Sequence, residues 1–173
     1  MKTLGVTSVL LLTLVLASPS AVEAQVLRPN QLCSDQPEAA IATFEDANME
    51  AAIRAGLSVD AQDDLTCGLI SGLTELDAQS ADIVSLVGIQ NLTSLTTLNL
   101  GNNSITDIGA LSGLTSLRFL YLHDNTGLSN IQPLLDNTGL GAGGTVDLRT
   151  TDVSCTDVAA LQAKGVTVQS DCP

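Results

Sequence analysis

A unit of 22 residues that recurs along the chain constrains its fold more than any other feature. One copy, LTTLNLGNNSITDIGALSGLTS at residues 95–116, carries leucine or isoleucine at seven positions, and residues 73–94 have an apolar residue at each equivalent position. A third copy begins at Leu117 with one residue inserted before Leu128, and a weaker fourth copy reads TVDLRTTDVSC. One such unit cannot bury its apolar side alone, so neighbouring units must stack into a solenoid.

The spacing within one unit predicts the local structure of each turn. Leu98 and Leu100 alternate with Asn99, which is the pattern of a short strand that shows one face to a core. Asn103 follows where the chain turns inward, and its amide can bond buried backbone groups of neighbouring turns. Because the third copy has Asn125 at the same position, Asn103 and Asn125 are predicted to form an interior ladder. The first and last copies lack this asparagine.

The repeated pattern, LxxLxLxxNxIxxIxxLxxLxx, resembles the leucine-rich repeat family, and its period is similar to that of the bacterial class seen in internalins. The resemblance covers roughly residues 40–170. It implies an α/β fold, namely a short right-handed solenoid of about four turns with a parallel concave sheet. It also implies a helical N-terminal cap and a small C-terminal cap.

Both ends of the repeats carry sequences suited to such caps. The stretch FEDANMEAAIRAGL places Asp46 as a helix N-cap, Met49, Ile53 and Leu57 at helical spacing, and Gly56 near the stop. It is similar to the helical N-terminal cap of internalin-like proteins. At the other end, VAALQAKGVTVQSDCP predicts a short helix, a glycine terminator and a brief strand.

The start of the chain predicts export. It reads MKTLGVTSVLLLTLVLASPSAVEA, with one positive charge, a short apolar run and a small-residue cleavage sequence, which is typical of a secretory signal. We therefore expect a secreted, soluble mature protein, extracellular or periplasmic, from a bacterium. The predicted segments are a signal peptide (1–24), an N-terminal helical cap (25–72), leucine-rich repeats (73–138), and a glycine-rich linker with the last repeat and C-terminal cap (139–173).

The charge of the chain excludes some classes of partner. The formal net charge is −13, and removing residues 1–24 leaves it unchanged because Lys2 and Glu23 cancel. The few remaining lysines and arginines form no basic stripe, which argues against nucleic acid and anionic membrane surfaces as partners. Nothing after the leader is long and apolar enough to insert into a membrane.

The four cysteines of an exported chain indicate disulfides rather than a metal site. Four cysteines allow three connectivities, and the sequence leaves them open. Cys33 and Cys67 flank the segment before the repeats, whereas Cys155 and Cys172 flank the segment after them. Their positions favour two local bridges, each closing one terminal module.

No motif for catalysis, cofactor binding or metal binding is found in the sequence. The run GLGAGG at 139–144 precedes a strand-like segment instead of opening a helix, so it predicts a flexible loop rather than a dinucleotide site. His123 is the only histidine, and no nucleophile lies near it in sequence. The two Asp-Asn-Thr-Gly runs fail the spacing of a calcium loop and are interpreted as polar turn residues.

The concave face is predicted to carry the binding site. Residues between and just after the apolar pair of each strand should point to this face. Of the two phenylalanines, one tyrosine and one histidine, three fall on this side of a single strand, and such aromatic residues, like arginine, are frequent anchors of protein interfaces. The predicted recognition patch consists of Phe119, Tyr121, His123, Asp147 and Arg149. The alternative is that Phe119 only packs on a neighbour.

The sequence therefore predicts a secreted, monomeric binding module that recognises a protein or a glycan through its concave face. Two alternatives remain open. A structural or cell-envelope protein without a discrete ligand would tolerate concave substitutions and would self-associate. A hydrolase or a hydrolase inhibitor would depend on His123.

Overall fold

The computed structural model describes residues 24–173. The predicted signal peptide (1–24) lies outside these residues except for Ala24. The described chain forms a solenoid whose strands make one parallel sheet in the order β1-β2-β3-β4-β5. The strands are β1 (Glu75–Asp77), β2 (Thr97–Asn99), β3 (Phe119–Tyr121), β4 (Thr145–Asp147) and β5 (Thr167–Gln169).

The register of the sheet follows the period of the repeats. Leu76, Leu98, Leu120 and Val146 stand beside one another across the sheet, and all four are buried. Because successive side chains of a strand point to opposite faces, this column fixes which residues face the core in every turn. The predicted α/β solenoid with a parallel sheet is confirmed.

The sheet has one strand more than the four that the repeat copies supply. The brief strand expected in the C-terminal cap is β5, and it continues the same parallel sheet in register with β4. It forms because α4 (Cys155–Ala163) returns the chain to the sheet edge, with Val158 and Leu161 buried beneath it. The C-terminal cap is therefore a shortened turn of the solenoid.

The chain returns from each strand through short helices. Two are 3-10 helices, Ile89–Asn91 and Gly109–Leu111, and the third turn uses α3 (Gln132–Asp136). Pro133 lies in the first turn of α3, where its missing N–H has no helical partner to lose. The core between these segments and the sheet is a continuous stack of leucine and isoleucine.

The N-terminal cap is built on α1 (Ala47–Leu57) and α2 (Cys67–Ile70). Asp46 caps α1 by accepting from the N–H groups of residues 48 and 49, and its other carboxylate oxygen accepts from those of residues 84 and 85 in the first repeat. Burial alone would raise the pKa of Asp46, but these backbone hydrogen bonds outweigh it and lower that pKa. Asp46 therefore both starts the helix and fastens it to the repeats.

The end of α1 agrees with the sequence prediction, which put Gly56 near the stop. The helix ends at Leu57, and Ser58 takes the left-handed conformation with φ 56°. Two buried residues, Met49 and Ile53, hold the helix against the core.

Two disulfides close the ends of the molecule. Cys33 is bonded to Cys67 across a sequence separation of 34, and Cys155 to Cys172 across 17. These are the two local pairings that the sequence positions favour. The first ties the N-terminal segment to α2, and the second ties the start of α4 to the residues after β5.

The glycine-rich run 139–144, which the sequence predicted to be a flexible loop, is packed against the preceding turn at its start. A Cβ placed on Gly139 would lie 1.7 Å from the carbonyl oxygen of Thr115. Leu140 is buried, and the side-chain oxygen of Asn137 accepts from the N–H groups of both Gly139 and Leu140. Ala142 and Gly143, later in the run, are exposed.

Within residues 24–173, no helix is long and apolar enough to cross a bilayer. In the same part of the chain, no group of three histidine, cysteine, aspartate or glutamate side chains is placed to hold a metal ion.

The concave face as a candidate binding site

Three columns of side chains run across the concave face, because each strand contributes equivalent positions in register. In the middle turn the first column contains the exposed Phe119 and the second contains the half-buried Tyr121, both on β3. The third column contains His123, two residues after the end of β3. The columns are Glu75, Thr97, Phe119, Thr145; Asp77, Asn99, Tyr121, Asp147; and Gln79, Gly101, His123, Arg149.

Phe119 is the most accessible aromatic side chain on this face. It retains 44 % of its surface, and its strand neighbours on either side are Thr97 and Thr145. Both threonines are half-buried. Whether Phe119 contacts a partner or only packs on its neighbours stays open.

His123 lies flat over the neighbouring glycine. A Cβ on Gly101 would come 2.3 Å from the ring carbon Cε1 of His123, so only a glycine leaves room for the imidazole at this position. The side chain is 19 % exposed, and its Nδ1 lies 3.6 Å from Oδ2 of Asp147, too far for a hydrogen bond. His123 therefore forms part of the floor of the face.

Asp147 and Arg149 act as one unit. Asp147 is only 2 % exposed, and its carboxylate accepts from Nε and Nη2 of Arg149 and from the Arg149 backbone N–H. Burial alone would raise the pKa of Asp147, but the hydrogen bonds and charge of Arg149 outweigh it and hold that pKa below its ordinary value. The same hydrogen bonds raise the pKa of Arg149, whose side chain is 54 % exposed.

The five residues of the predicted patch lie on neighbouring turns and differ in burial. Phe119 and Arg149 are exposed, Tyr121 and His123 are half-buried, and Asp147 is buried. Asp147 is placed to orient Arg149 and is too buried to offer its own carboxylate as a broad contact surface. Whether this patch binds a partner stays a prediction.

A ladder of short turns on the second column was missed in the sequence. Oδ1 of Asp77, Asn99 and Asp147 each accepts the N–H of the residue two positions later. This pairing is the Asx turn, in which the side chain replaces a backbone acceptor as the strand ends. Its sequence signal is aspartate or asparagine at the same position in three of the copies.

The interior asparagines bond the backbone of two successive turns. Asn103 donates to the carbonyls of Ala78 and Leu100 and accepts from the N–H groups of residues 81 and 83. Asn125 donates to Leu100 and Leu122 and accepts from the N–H of residue 105. Each side chain thus satisfies backbone groups that the turns would otherwise bury unpaired.

Two further buried asparagines were missed. Asn137, interpreted from sequence as a polar turn residue, is fully buried and donates to the carbonyls of Leu111 and Leu114. Asn91 donates to the carbonyl of Gln31 and accepts from the N–H of Cys33, which fastens the N-terminal segment to the first repeat. Neither repeats at the period of the solenoid, so the pattern gives no sign of it.

A second concavity of about 710 Å³ lies between the N-terminal segment and the turns after β1 and β2. Leu32 and the Cys33–Cys67 disulfide form one side, and Val87 and Ala110 lie on the other. Within the part of the chain that the structure describes, every buried side-chain nitrogen or oxygen lining it has a hydrogen-bond partner. No group in this groove points to a particular ligand.

The surroundings of His123 hold no arrangement for nucleophilic catalysis. Among residues 24–173, no serine, threonine or cysteine side chain is hydrogen-bonded to the imidazole. Its nearest charged neighbour is Asp147, which is already engaged by Arg149. The concave face thus carries aromatic and charged side chains on a parallel sheet.

Comparison with known sequences agrees with this geometry. The family described as leucine-rich repeats (two copies) matches residues 71–111 and 93–136, which include β1, β2 and β3. No curated protein sequence matches the chain.

Solved structures with the same repeat architecture come from Listeria monocytogenes. Internalin C2 superposes with a TM-score of 0.50 at 20 % identity, over 75 % of this chain and 68 % of that one, and shows the same fold. The internalin InlF superposes with a TM-score of 0.42 at 26 % identity, over 75 % of this chain and 52 % of the other. This chain thus spans about half the length of that internalin.

Proposed function

Since residues 71–136 match the leucine-rich repeat family, we propose that this protein is a binding module that recognises a protein partner through its concave face. The observation that carries this proposal is the surface pair of Phe119 and Arg149 around Tyr121. Phe119 is 44 % exposed, and Arg149 is held in place by hydrogen bonds to the buried carboxylate of Asp147. Such pre-oriented groups are typical of binding hot spots.

The location of this activity is proposed to be outside the cytoplasm. Residues 1–24 act as a signal peptide in this proposal, and the mature chain starts with the helical cap at 25–72. Support comes from the two disulfides, which persist in oxidising compartments. The repeats at 73–138 and the closing segment at 139–173 form the binding platform.

The experiment is affinity capture from the extracellular medium with the mature protein, followed by calorimetry on the partner so identified. Replacing Tyr121 and Arg149 together with alanine removes one aromatic and one guanidinium anchor, so we expect the affinity to fall at least about tenfold. Circular dichroism and urea unfolding would verify that the variant remains folded.

A matched control is available in Val84, which is 61 % exposed and lies outside the strands. Val84→Ala should bind as the parent does, whereas Phe119→Ala should bind more weakly. If the partner bound the Tyr121→Ala/Arg149→Ala protein with unchanged affinity, recognition through the concave face would be wrong. Self-association with silent concave substitutions would instead favour a structural role.

A further inference from the structure

The cations of this protein are largely engaged by its own chain. Residues 24–173 contain five lysines and arginines, and four of them are hydrogen-bonded internally. Arg54 bonds Glu50 and two backbone carbonyls, Arg118 bonds two carbonyls, and Lys164 bonds three. Arg149 bonds Asp147. Many of the donors on these side chains are therefore already occupied within the chain, and two of the four are paired with carboxylates.

The concave face itself is acidic on balance. Its three columns contain Glu75, Asp77 and Asp147 as acids and Arg149 as the one cation. Asp147 and Arg149 neutralise each other, and the charges of Asp124 and Asp171 also act on Arg149. Glu75 and Asp77 are exposed on β1, and no cation in the columns opposes them.

The aromatic residues stand close to these acids. Phe119 shares a column with Glu75, and Tyr121 shares one with Asp77; in each case a single small or polar residue lies between them. Two strand spacings separate the members of each pair, which is about 10 Å. One extended segment crossing the strands can therefore touch the aromatic rings and the carboxylates at once.

We propose that the concave face binds a protein segment that presents lysine or arginine side chains, with its cations beside Glu75 and Asp77 and against the ring of Phe119. This inference rests on the proposed function and names the chemical class of the partner. The carboxylates supply charge complementarity, which mainly speeds and orients association. The aromatic face attracts a cation through its quadrupole and covers the methylenes of its side chain.

The test uses a synthetic peptide in which lysine alternates with glycine, its ends blocked, and a matched peptide with glutamate in place of lysine. Each is titrated into the isotope-labelled mature protein and followed by amide NMR shifts. We expect the lysine peptide to shift residues of β1, β2 and β3, with an affinity that falls as salt is added. The glutamate peptide should cause no such shifts.

Variants locate the site more sharply. Asp77→Asn keeps the Oδ1 acceptor that the N–H of Gln79 uses, and Asn99 already fills this position in the next turn, so the fold is preserved. Glu75→Gln leaves the size of the side chain unchanged. The two substitutions together should lower the affinity for the lysine peptide roughly fivefold. Phe119→Leu, which keeps an apolar side chain but removes the ring, should weaken it roughly threefold.

A matched control neutralises two exposed acids away from the concave columns, Glu38→Gln and Asp64→Asn. This protein should bind the lysine peptide within about twofold of the parent. Shifts spread evenly over the acidic surface, or equal losses in the control and the Glu75→Gln/Asp77→Asn protein, would overturn the proposal.

The two proposals can fail separately. If the captured partner loses affinity with Tyr121→Ala/Arg149→Ala but not with Glu75→Gln/Asp77→Asn, the concave face binds and only the cationic nature of the partner is wrong. If neither pair of substitutions changes the affinity, recognition through this face fails altogether.

Discussion

The middle turns and the last turn of this solenoid satisfy their buried backbone groups in different ways. In the middle turns one asparagine at a fixed position, Asn103 or Asn125, bonds carbonyls of its own turn and of the one before. In the last turn Thr151 occupies that position and bonds only the carbonyl of Leu148. Other side chains, from outside the period, bond further backbone groups near this end of the solenoid.

Asn137 and Lys164 are these side chains. Asn137 bonds two carbonyls of the preceding turn and two N–H groups of the glycine-rich run. Lys164, at the end of α4, donates to the carbonyls of Leu134, Leu135 and Asn137. The difference teaches that a regular repeat can use the same side chain in successive turns, whereas the interrupted turn uses side chains that the period does not place.

The largest effect should follow from removing the ladder in a middle turn. Asn125 is fully buried, and Asn125→Ala would remove the partners of the Ile105 N–H and the Leu122 carbonyl, whereas the Leu100 carbonyl would keep its bond from Asn103. We expect a loss of about 4 kcal/mol in the free energy of unfolding, measured by urea denaturation. Thr151→Ala, at the same position of the last turn, should cost only about 1 kcal/mol. Equal losses would contradict the distinction between the turns.

A second pair of substitutions compares a steric clash with an unfavourable backbone conformation, both within the glycine-rich run. Gly139→Ala would drive a methyl group into the carbonyl of Thr115, and we expect it to cost about 3 kcal/mol or to prevent folding. A Cβ on Gly143 would meet no atom within 4 Å, but its φ of 86° disfavours any other residue, so Gly143→Ala should cost only about 1 kcal/mol. Thermal unfolding of both variants measures the difference. A mild Gly139→Ala would restore the flexible-linker interpretation.

A smaller effect is expected from changing Lys164, which bonds three backbone carbonyls near the C-terminal end of the solenoid. Lys164→Met keeps the length of the side chain but removes the donors to three carbonyls, and we expect a loss of about 2 kcal/mol. The loss is less than for Asn125→Ala because Lys164 is half-buried and water can reach the freed carbonyls. Amide hydrogen exchange should show faster opening of α3 and α4, with β2 unaffected. If amide exchange became faster by the same factor in all turns, the last turn would not be a separate cooperative unit.

The smallest effect concerns pH. The pKa of Asp147 is lowered in the folded state, so its ion pair with Arg149 contributes stability above the ordinary aspartate pKa of 3.8. That contribution is lost as the pH falls through the lower, folded-state pKa. Asp147→Asn should therefore destabilise the protein at neutral pH and flatten the acid side of its stability profile, measured by urea unfolding across the acid range. The pKa of Asp46 at the N-terminal cap is lowered too. In the Asp147→Asn variant, Asp46 should therefore still contribute to the fall in unfolding free energy at acid pH.

The sequence determined the repeating part of this protein. The period placed Leu98, Leu100 and their equivalents in the core, and it put Asn103 and Asn125 where backbone groups needed partners. It also placed Phe119 and Tyr121 on one face of one strand, because alternation along a strand is local and survives stacking. Because these features depend on the alternation and spacing within each repeat, stacking of the turns does not alter them.

The tertiary structure alone decided the features that join residues distant in sequence. It packed Gly139 against Thr115, buried Asn137, and carried Lys164 to carbonyls about 30 residues away. At the candidate site it buried Asp147 against Arg149 and laid the ring of His123 over Gly101. The five residues of the patch therefore differ in how far they are exposed. Such burial depends on which turn stacks on which, and no periodic pattern records it.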